Sequence, residues 1–401
     1  MTIRLPSCYS AFEAIMSQLL LIGAGHAHLP ILRTAGSIIQ RGHSITLVSL
    51  SPYQYYSGMG PGLLGGTYSA EQIRFPVCEW VEAAGGTFVQ SRAVRIRPEE
   101  KQAILQDGRA LDFDVLSVNA GSCVPPTFQV DAEVISSGHP AVFTVKPIEE
   151  MLRVQSFAAA RGGGPFTTVV AGGGPAAVEC AANLRRLVGT GESNRSVKIA
   201  MVVGRDLLPG FGRRARGIAL KALRASGIDC VEGPLERVIA GAVQTEGGTI
   251  DTDMVLVATG VVPPRLMEDS SLPVGPDGSM AVNEHLQLLG YPDIFGGGDC
   301  IWFTPRPLPR AGVFAVREAP LLLHNVNTSL DRSGSLHRFH PGGAYLVLLN
   351  LGDGTALFHR RLGGVRVVFR SSGAWRLKDR IDRAFMERYG VGPSAERTEG
   401  E

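Results

Sequence analysis

The chain has 401 residues, 44% of them hydrophobic, which is enough for two or three domains with buried cores. Its 39 basic and 37 acidic residues leave a net charge of +2 with no basic stripe, which argues against a nucleic-acid partner. Six scattered cysteines (Cys8, Cys78, Cys123, Cys180, Cys230, Cys300) show no Cys-x-x-Cys pair, so no metal site is expected and a reduced, cytoplasmic protein is the default.

Residues 1–17 contain Pro6 and no clear pattern, and read as an N-terminal extension in which Met16 is a candidate start. Residues 14–32 carry no Lys, Arg, Asp or Glu, yet Gly23, Gly25, His26 and His28 interrupt them. A buried strand and helix start are therefore expected, rather than a membrane span or signal peptide. The apolar run 18–22 suits a parallel strand buried on both faces. A helix over 30–39 and a strand over 44–50 complete a βαβ unit of dinucleotide-binding size. Gly23 permits the tight turn, and Gly25 lets backbone N–H groups approach a pyrophosphate. The helix beginning near His26 turns its positive end towards that group. His28 stands where a small residue is usual; it reads as a packed spacer, with a ligand role as the alternative. The second strand ends near Ser49, where an acid normally holds ribose hydroxyls, so Ser49 or a backbone group must do so here. In the loop that follows, Tyr53 and Tyr55 are open between interdomain packing and ligand contact. Tyr56, Ser57 and Gly58 are expected against a cofactor ring.

The pattern returns about 150 residues later: an apolar strand over 167–171, then Gly172-Gly173-Gly174-Pro175-Ala176-Ala177, a helix over 178–187 and a strand over 197–203. Gly172, Gly174 and Ala177 fit GxGxxA. The strand ends in Val203-Gly204-Arg205 without an acid, and Arg205 tilts the choice of nicotinamide cofactor towards the 2′-phosphorylated form. Glu179 is either a surface helix residue or a carboxylate facing the cleft between modules. Further strands end at Thr259-Gly260 and at Gly296-Gly297-Gly298-Asp299. Asp299 can accept hydrogen bonds from a ribityl chain and can also cap a helix. Cys300 reads as a small apolar neighbour of Asp299 rather than a redox thiol. Beyond about residue 335, strands over 344–350, 355–359 and 365–369 and a helix over 375–389 make a small α+β domain. On that helix Leu377, Ile381, Ala384, Phe385 and Tyr389 form one apolar stripe among arginines, suited either to a membrane interface or to the protein's own sheet.

Together the segments LIGAGHAH, YYSGMGPG, VVAGGGPAAVEC, VLVATG, IFGGGDC and AGVFAVREAP resemble the pyridine nucleotide-disulfide oxidoreductase superfamily, over roughly residues 18–390. Within it the chain is similar to type II NADH dehydrogenases and to the flavoprotein domain that some bacteria fuse to selenide, water dikinase. The tail KDRIDRAFMERYG resembles the end of that fused domain, although no kinase domain is present. The resemblance implies an α/β fold with two Rossmann-like domains, the second inserted in the first. It divides the chain into an extension (1–17), an FAD-binding domain (18–148 and 263–330), an NAD(P)-binding domain (149–262) and a C-terminal domain (331–401). It implies FAD at Gly23, Gly25, Tyr56, Ser57, Gly58 and Asp299, and the nicotinamide cofactor at Gly172, Gly174 and Glu179. His26, Ser49, Ala177, Arg205, Thr259, Gly260 and Gly298 complete the expected cofactor contacts, and Glu179 is the expected catalytic residue. The departures matter. The loop after the second strand has no cysteine pair, no cysteine follows Cys300, and Ala311-Gly312 stands where type II dehydrogenases commonly have Ala-Gln. The expected function is FAD-dependent NAD(P)H oxidation by direct hydride transfer, without a redox disulfide, with a quinone as one candidate acceptor and peripheral contact on the inner face of the cell membrane as one candidate location. The alternative is a flavin- and nucleotide-binding sensor or partner of selenium metabolism with little turnover, in which residues 344–369 bind a protein.

Overall fold

A computed structural model describes residues 16–161, 165–189 and 197–391. The expected N-terminal extension up to residue 15 and the last ten residues of the expected C-terminal domain lie outside them.

Strand β1 (Gln18–Ile22) is apolar at four of its five positions, and Leu19, Leu20 and Leu21 are at most 1% exposed. Each such side chain contributes roughly 1.5–3 kcal/mol by leaving water, provided both faces of the strand are covered. Cover comes from α1 (Leu29–Arg33) and α2 (Ala35–Gln40) among others. The single helix expected over 30–39 is in fact two. The Thr34 hydroxyl donates to the Pro30 carbonyl at 2.8 Å, and the backbone leaves helical angles there. A hydroxyl that bonds its own preceding turn competes with the helix ladder. β1 pairs in parallel with β2 (Ser44–Ser49), which pairs in parallel with β3 (Thr87–Gln90), and on its other side with β4 (Val115–Val118).

The chain then crosses to a second sheet. β5 (Ala141–Thr144) already pairs with that sheet, so the crossing precedes residue 148. After α3 (Glu150–Ala160) come β6 (Phe166–Ala171), α4 (Pro175–Gly189), β7 (Val197–Val203), α5 (Arg213–Ala225), β8 (Ile228–Glu232) and β9 (Met254–Val257). All five strands run parallel, in the order β5-β9-β6-β7-β8. Parallel pairing with helical crossovers is what near-continuous apolar runs require.

The chain returns to the first sheet with β10 (Met280–Val282), β11 (Gln287–Leu288), β12 (Tyr291–Gly296) and β13 (Ile301–Phe303). β12 docks in parallel on β4, completing the order β13-β10-β11-β12-β4-β1-β2-β3. Helix α6 (Gly312–Leu330) packs over β4 and β12 and against α1.

The final unit is an antiparallel sheet, β14 (Leu346–Asn350), β15 (Ala356–Leu362) and β16 (Val365–Ser371), followed by α7 (Ser372–Arg388). The Ser371 hydroxyl accepts the Ala374 N–H at 3.0 Å and starts α7. The apolar stripe on α7 is split: Phe385 and Tyr389 are buried, whereas Leu377 and Ile381 are 40% and 45% exposed. Among the described residues no helix is long and apolar enough to cross a membrane.

Candidate functional site

Both glycine turns stand at the carboxyl ends of parallel strands, where open α/β sheets take their ligands. At the first, Gly23 has φ +82°, and a Cβ there would lie 2.5 Å from the Asn119 carbonyl. A Cβ on Gly25 would lie 2.3 Å from Asn119 Oδ1. Asn119 ties the turn together: Oδ1 accepts the Ala27 N–H at 3.0 Å and Nδ2 donates to the Gly297 carbonyl at 2.5 Å. One amide side chain thus joins the start of the first module, at Ala27, to its resumption at Gly297, 178 positions beyond Asn119 itself.

A cleft of about 430 Å³ opens beside this turn. Of the expected residues, Gly23, Gly25, His26, Ser49, Ser57, Gly298 and Asp299 line it. Asp299 Oδ2 accepts both the Ser122 hydroxyl at 2.7 Å and the Lys146 ammonium at 2.8 Å, and Lys146 also donates to Ser122 at 2.7 Å. Burial would raise the Asp299 carboxyl, but Lys146 and the Ser122 hydroxyl outweigh it and hold the group below the ordinary range. Lys146, Ser122 and Asn119 carry no signal in the sequence, because each lies in an unpatterned segment. Arg310, also on the cleft wall, donates to the Asp299 carbonyl at 3.1 Å.

Two histidines here are neutral at pH 7. Burial depresses both His26 and His28 to about 4. His28 is fully buried; its Nδ1–H donates to the Gly23 carbonyl at 2.6 Å and Nε2 accepts the Ser117 hydroxyl at 2.8 Å. It is a packed spacer that braces the turn. His26 faces the cleft, and its Nε2 is buried with no partner among the described residues. A buried polar atom normally has a partner, so the cleft fits a ligand with a hydrogen-bonding group at this place.

Tyr56 and Gly58 are drawn away from the cleft towards α7. The Tyr56 ring stacks on Phe385 with centroids 4.5 Å apart, and its hydroxyl donates to Asp382 Oδ1 at 3.3 Å. Lys378 Nζ donates to the Gly58 carbonyl at 2.6 Å and to Asp382 Oδ2 at 2.7 Å. His26 meets the edge of Tyr56 at 5.4 Å, so an aromatic wall of His26, Tyr56 and Phe385 separates the cleft from this ion pair.

In the second module Gly172 has φ +137°, and a Cβ there would lie 2.2 Å from the Ala258 carbonyl. Among the described residues nothing stands within 4 Å of a Cβ built on Gly174, so the face of the turn is open to an incoming group. Ala177 is fully buried, Gly260 has φ +115°, and Thr259 Oγ1 bonds Thr127 Oγ1 at 3.1 Å. Arg205 is exposed at the end of β7, while the neighbouring Asp206 is held by Arg216 at 2.6 Å.

Glu179 is not a surface helix residue. It is partly buried on α4, with Oε1 accepting the Asn350 N–H at 2.7 Å. Burial pushes its carboxyl up to about 7, with Lys378 and the Asn350 N–H pulling it back and Asp382 adding to the rise. Burial disfavours the Lys378 ammonium, but Asp382 and Glu179 more than restore it, so Lys378 stays charged. One cation faces two carboxyl groups, so the cluster can hold a proton near neutrality. It joins α4 of the second module, the Tyr56 loop of the first and α7.

The family model described as pyridine nucleotide-disulphide oxidoreductase matches residues 17–319. The chain is 27% identical over 282 residues to ferroptosis suppressor protein 1 of Taeniopygia guttata, covering 67% of this chain and 71% of that one. It is 24% identical over 374 residues to a type II NADH:quinone oxidoreductase of Staphylococcus aureus, covering 88% and 92%. Among solved structures it is similar to NDH2 from Plasmodium falciparum in complex with NADH, with a TM-score of 0.71, 15% identity, and 94% and 99% of the two chains covered.

Proposed function

Because the chain belongs to the pyridine nucleotide-disulphide oxidoreductase family, we propose that it transfers electrons from NAD(P)H through FAD to a quinone without a redox disulfide. FAD is its cofactor and NAD(P)H its co-substrate. When bound, FAD supplies the hydride acceptor and the means of passing electrons on.

The protein's own groups then have defined tasks. The turn at Gly23 and Gly25 gives a diphosphate close access to backbone. Asp299, kept ionised by Lys146 and Ser122, is a fixed acceptor for ribityl hydroxyls. His26, uncharged, offers Nε2 to the bound group. Gly172, Gly174 and Ala177 form the corresponding seat for the nicotinamide dinucleotide, with Arg205 beside its adenosine end. Glu179 holds a proton at its carboxyl where the two modules meet α7. Ser57 and Gly298 complete the cleft, while Tyr56 and Gly58 support it from behind.

The observation that carries this reading is two glycine turns, each at the carboxyl end of a parallel strand in its own sheet, in one chain. Direct transfer is supported by the cysteines. Cys78, Cys123, Cys180, Cys230 and Cys300 are all free, and burial pushes the Cys300 thiol beside Asp299 up to about 12, which removes it as a thiolate. The name of the Staphylococcus aureus relative and the exposed Leu377 and Ile381 support a quinone as acceptor.

The test is anaerobic stopped-flow mixing of the FAD-loaded protein with NADH and with NADPH, followed by a soluble quinone. Rapid bleaching and reoxidation by the quinone are expected, with NADPH at least as fast as NADH if Arg205 receives a 2′-phosphate. Nucleotide binding without bleaching would sink the enzyme and favour the sensor.

A further inference from the structure

Glu318, on the second turn of α6, is 1% exposed and lies directly beneath the Gly298–Asp299 turn. Its Oε2 accepts the Gly298 N–H at 2.5 Å, and among the described residues it makes no ion pair. A buried carboxylate normally has a cation, because taking an ion out of water costs several kcal/mol. Among the described residues Glu318 has none to draw on. Arg310 is committed to Asp277 and Ser279 at 2.6 and 2.8 Å, and Arg317 to the Pro341 and Gly343 carbonyls at 2.6 and 3.2 Å. Lys146 is on Asp299. On the elements packed against α6, Arg33 lies over Trp80, His28 is neutral, Asp293 is paired with Lys101, burial keeps the Cys300 thiol uncharged, and β4 has no charged residue. The space beside Glu318 amounts to about 10 Å³, bounded by Phe303, Leu308 and Phe314 and by Asp299 and the committed Arg310, so hydration is limited to about one water.

With no cation from the described residues beside it, a proton neutralises this group. We propose that Glu318 is a positioning residue that takes up a proton from solvent as FAD binds. Its carboxyl holds the Gly298 N–H, and with it the reach of Asp299. Its loss of charge offsets the negative charge that the FAD diphosphate adds to a cleft already holding Asp299. The inference rests on the reading of this cleft as the FAD site.

Burial pushes the Glu318 carboxyl up to about 7, the Gly298 N–H draws it back, and Asp299 adds to the rise. Before FAD arrives the group is therefore about half ionised at neutral pH, and added negative charge tips it to the acid. The sign follows from linkage. Below pH 7 the proton is already in place and FAD affinity is flat. Above pH 7 the proton must be drawn from solvent, and affinity falls by up to about tenfold per pH unit.

The experiment titrates the FAD-free full chain with FAD from about pH 5.5 to about 8.5, following flavin fluorescence, and measures proton uptake with an indicator dye in weak buffer. For the unaltered chain, an affinity falling roughly tenfold or more above pH 7 is expected, with a fraction of a proton taken up per FAD at pH 7. Glu318→Gln keeps an oxygen on the Gly298 N–H and is expected to bind tightly at all pH values, with no uptake. Glu318→Leu leaves that N–H without an acceptor and is expected to bind roughly tenfold or more weaker throughout. A pH-independent affinity of the unaltered chain, or a slope and proton uptake that survive in Glu318→Gln, overturns the inference alone. Failure of the unaltered chain to take up FAD at any pH overturns the proposed function with it.

Discussion

Asp299 and Glu179 are both carboxylates on the approaches to the same junction, yet their surroundings drive them apart. Asp299 has a lysine on it and stays ionised at neutral pH; Glu179 shares its cation with Asp382 and rises to about 7. Two carboxyls held at different protonation states are what separate binding from proton-transfer roles. Glu179→Gln is therefore expected to keep FAD while slowing turnover by roughly a hundredfold, the usual scale of a lost acid or base. Because Glu179 carries its proton below pH 7 and loses it above, the rate of a step that consumes this proton falls as pH rises through 7. That limb should vanish in the variant, and steady-state rates that match the parent at every pH would reject the role. Of these groups Asp299 is legible in the sequence, because three glycines and an acid after an apolar run mark a close approach of backbone to a ligand. Lys146 is not, since it meets Asp299 across 153 positions and stands in a segment with no periodicity. Tyr56 reads as a ring contact in the sequence because aromatics in that loop look the same whether they face a ligand or α7.

Helix α7 carries two tasks on two faces. Inward, Phe385 meets Tyr56 and Phe75, and Lys378 and Asp382 close the cluster beside Gly58. Outward, Leu377 and Ile381 stand exposed beside Arg376 and Arg380. The helix period is legible, but period alone does not say what covers each part of a stripe. An apolar, basic face of this kind suits an anionic lipid surface. Replacing Leu377 and Ile381 together by Gln is expected to abolish flotation of the full chain on anionic vesicles, while the inward contacts keep the FAD content unchanged. Equal flotation of parent and variant would remove α7 as the contact. The break between α1 and α2 escapes the sequence for a local reason: the Thr34 back-bond to Pro30 is invisible to hydrophobic pattern.

Across the whole molecule, the cleft is assembled from distant stretches: the turn after β1, the loop before α3, and the turn between β12 and β13. A ligand seated there holds together pieces that the chain alone joins only through the sheet and through side chains such as Asn119. Filling the site at about a hundred times its dissociation constant contributes about 2.7 kcal/mol to the folded state. A thermal melt of the full chain should accordingly move up by several degrees with FAD, and an unmoved midpoint at saturation would count against the cleft. The two-module plan is legible because each glycine turn is flanked by strand and helix. That β5 joins the second sheet before residue 148 is not, since a four-residue strand leaves little trace.

The discontinuity of the first sheet also orders events on the ribosome. β4 must wait for β12, which emerges only after the entire inserted module, a delay of roughly ten to thirty seconds at ordinary elongation rates. The inserted module, apart from the C-terminal sheet β14–β16 that packs on α4 and α5, is contiguous and can mature during that interval. The half-finished first sheet meanwhile presents the bare edge of β4, and shielding that edge from neighbouring nascent chains becomes the critical task of biosynthesis.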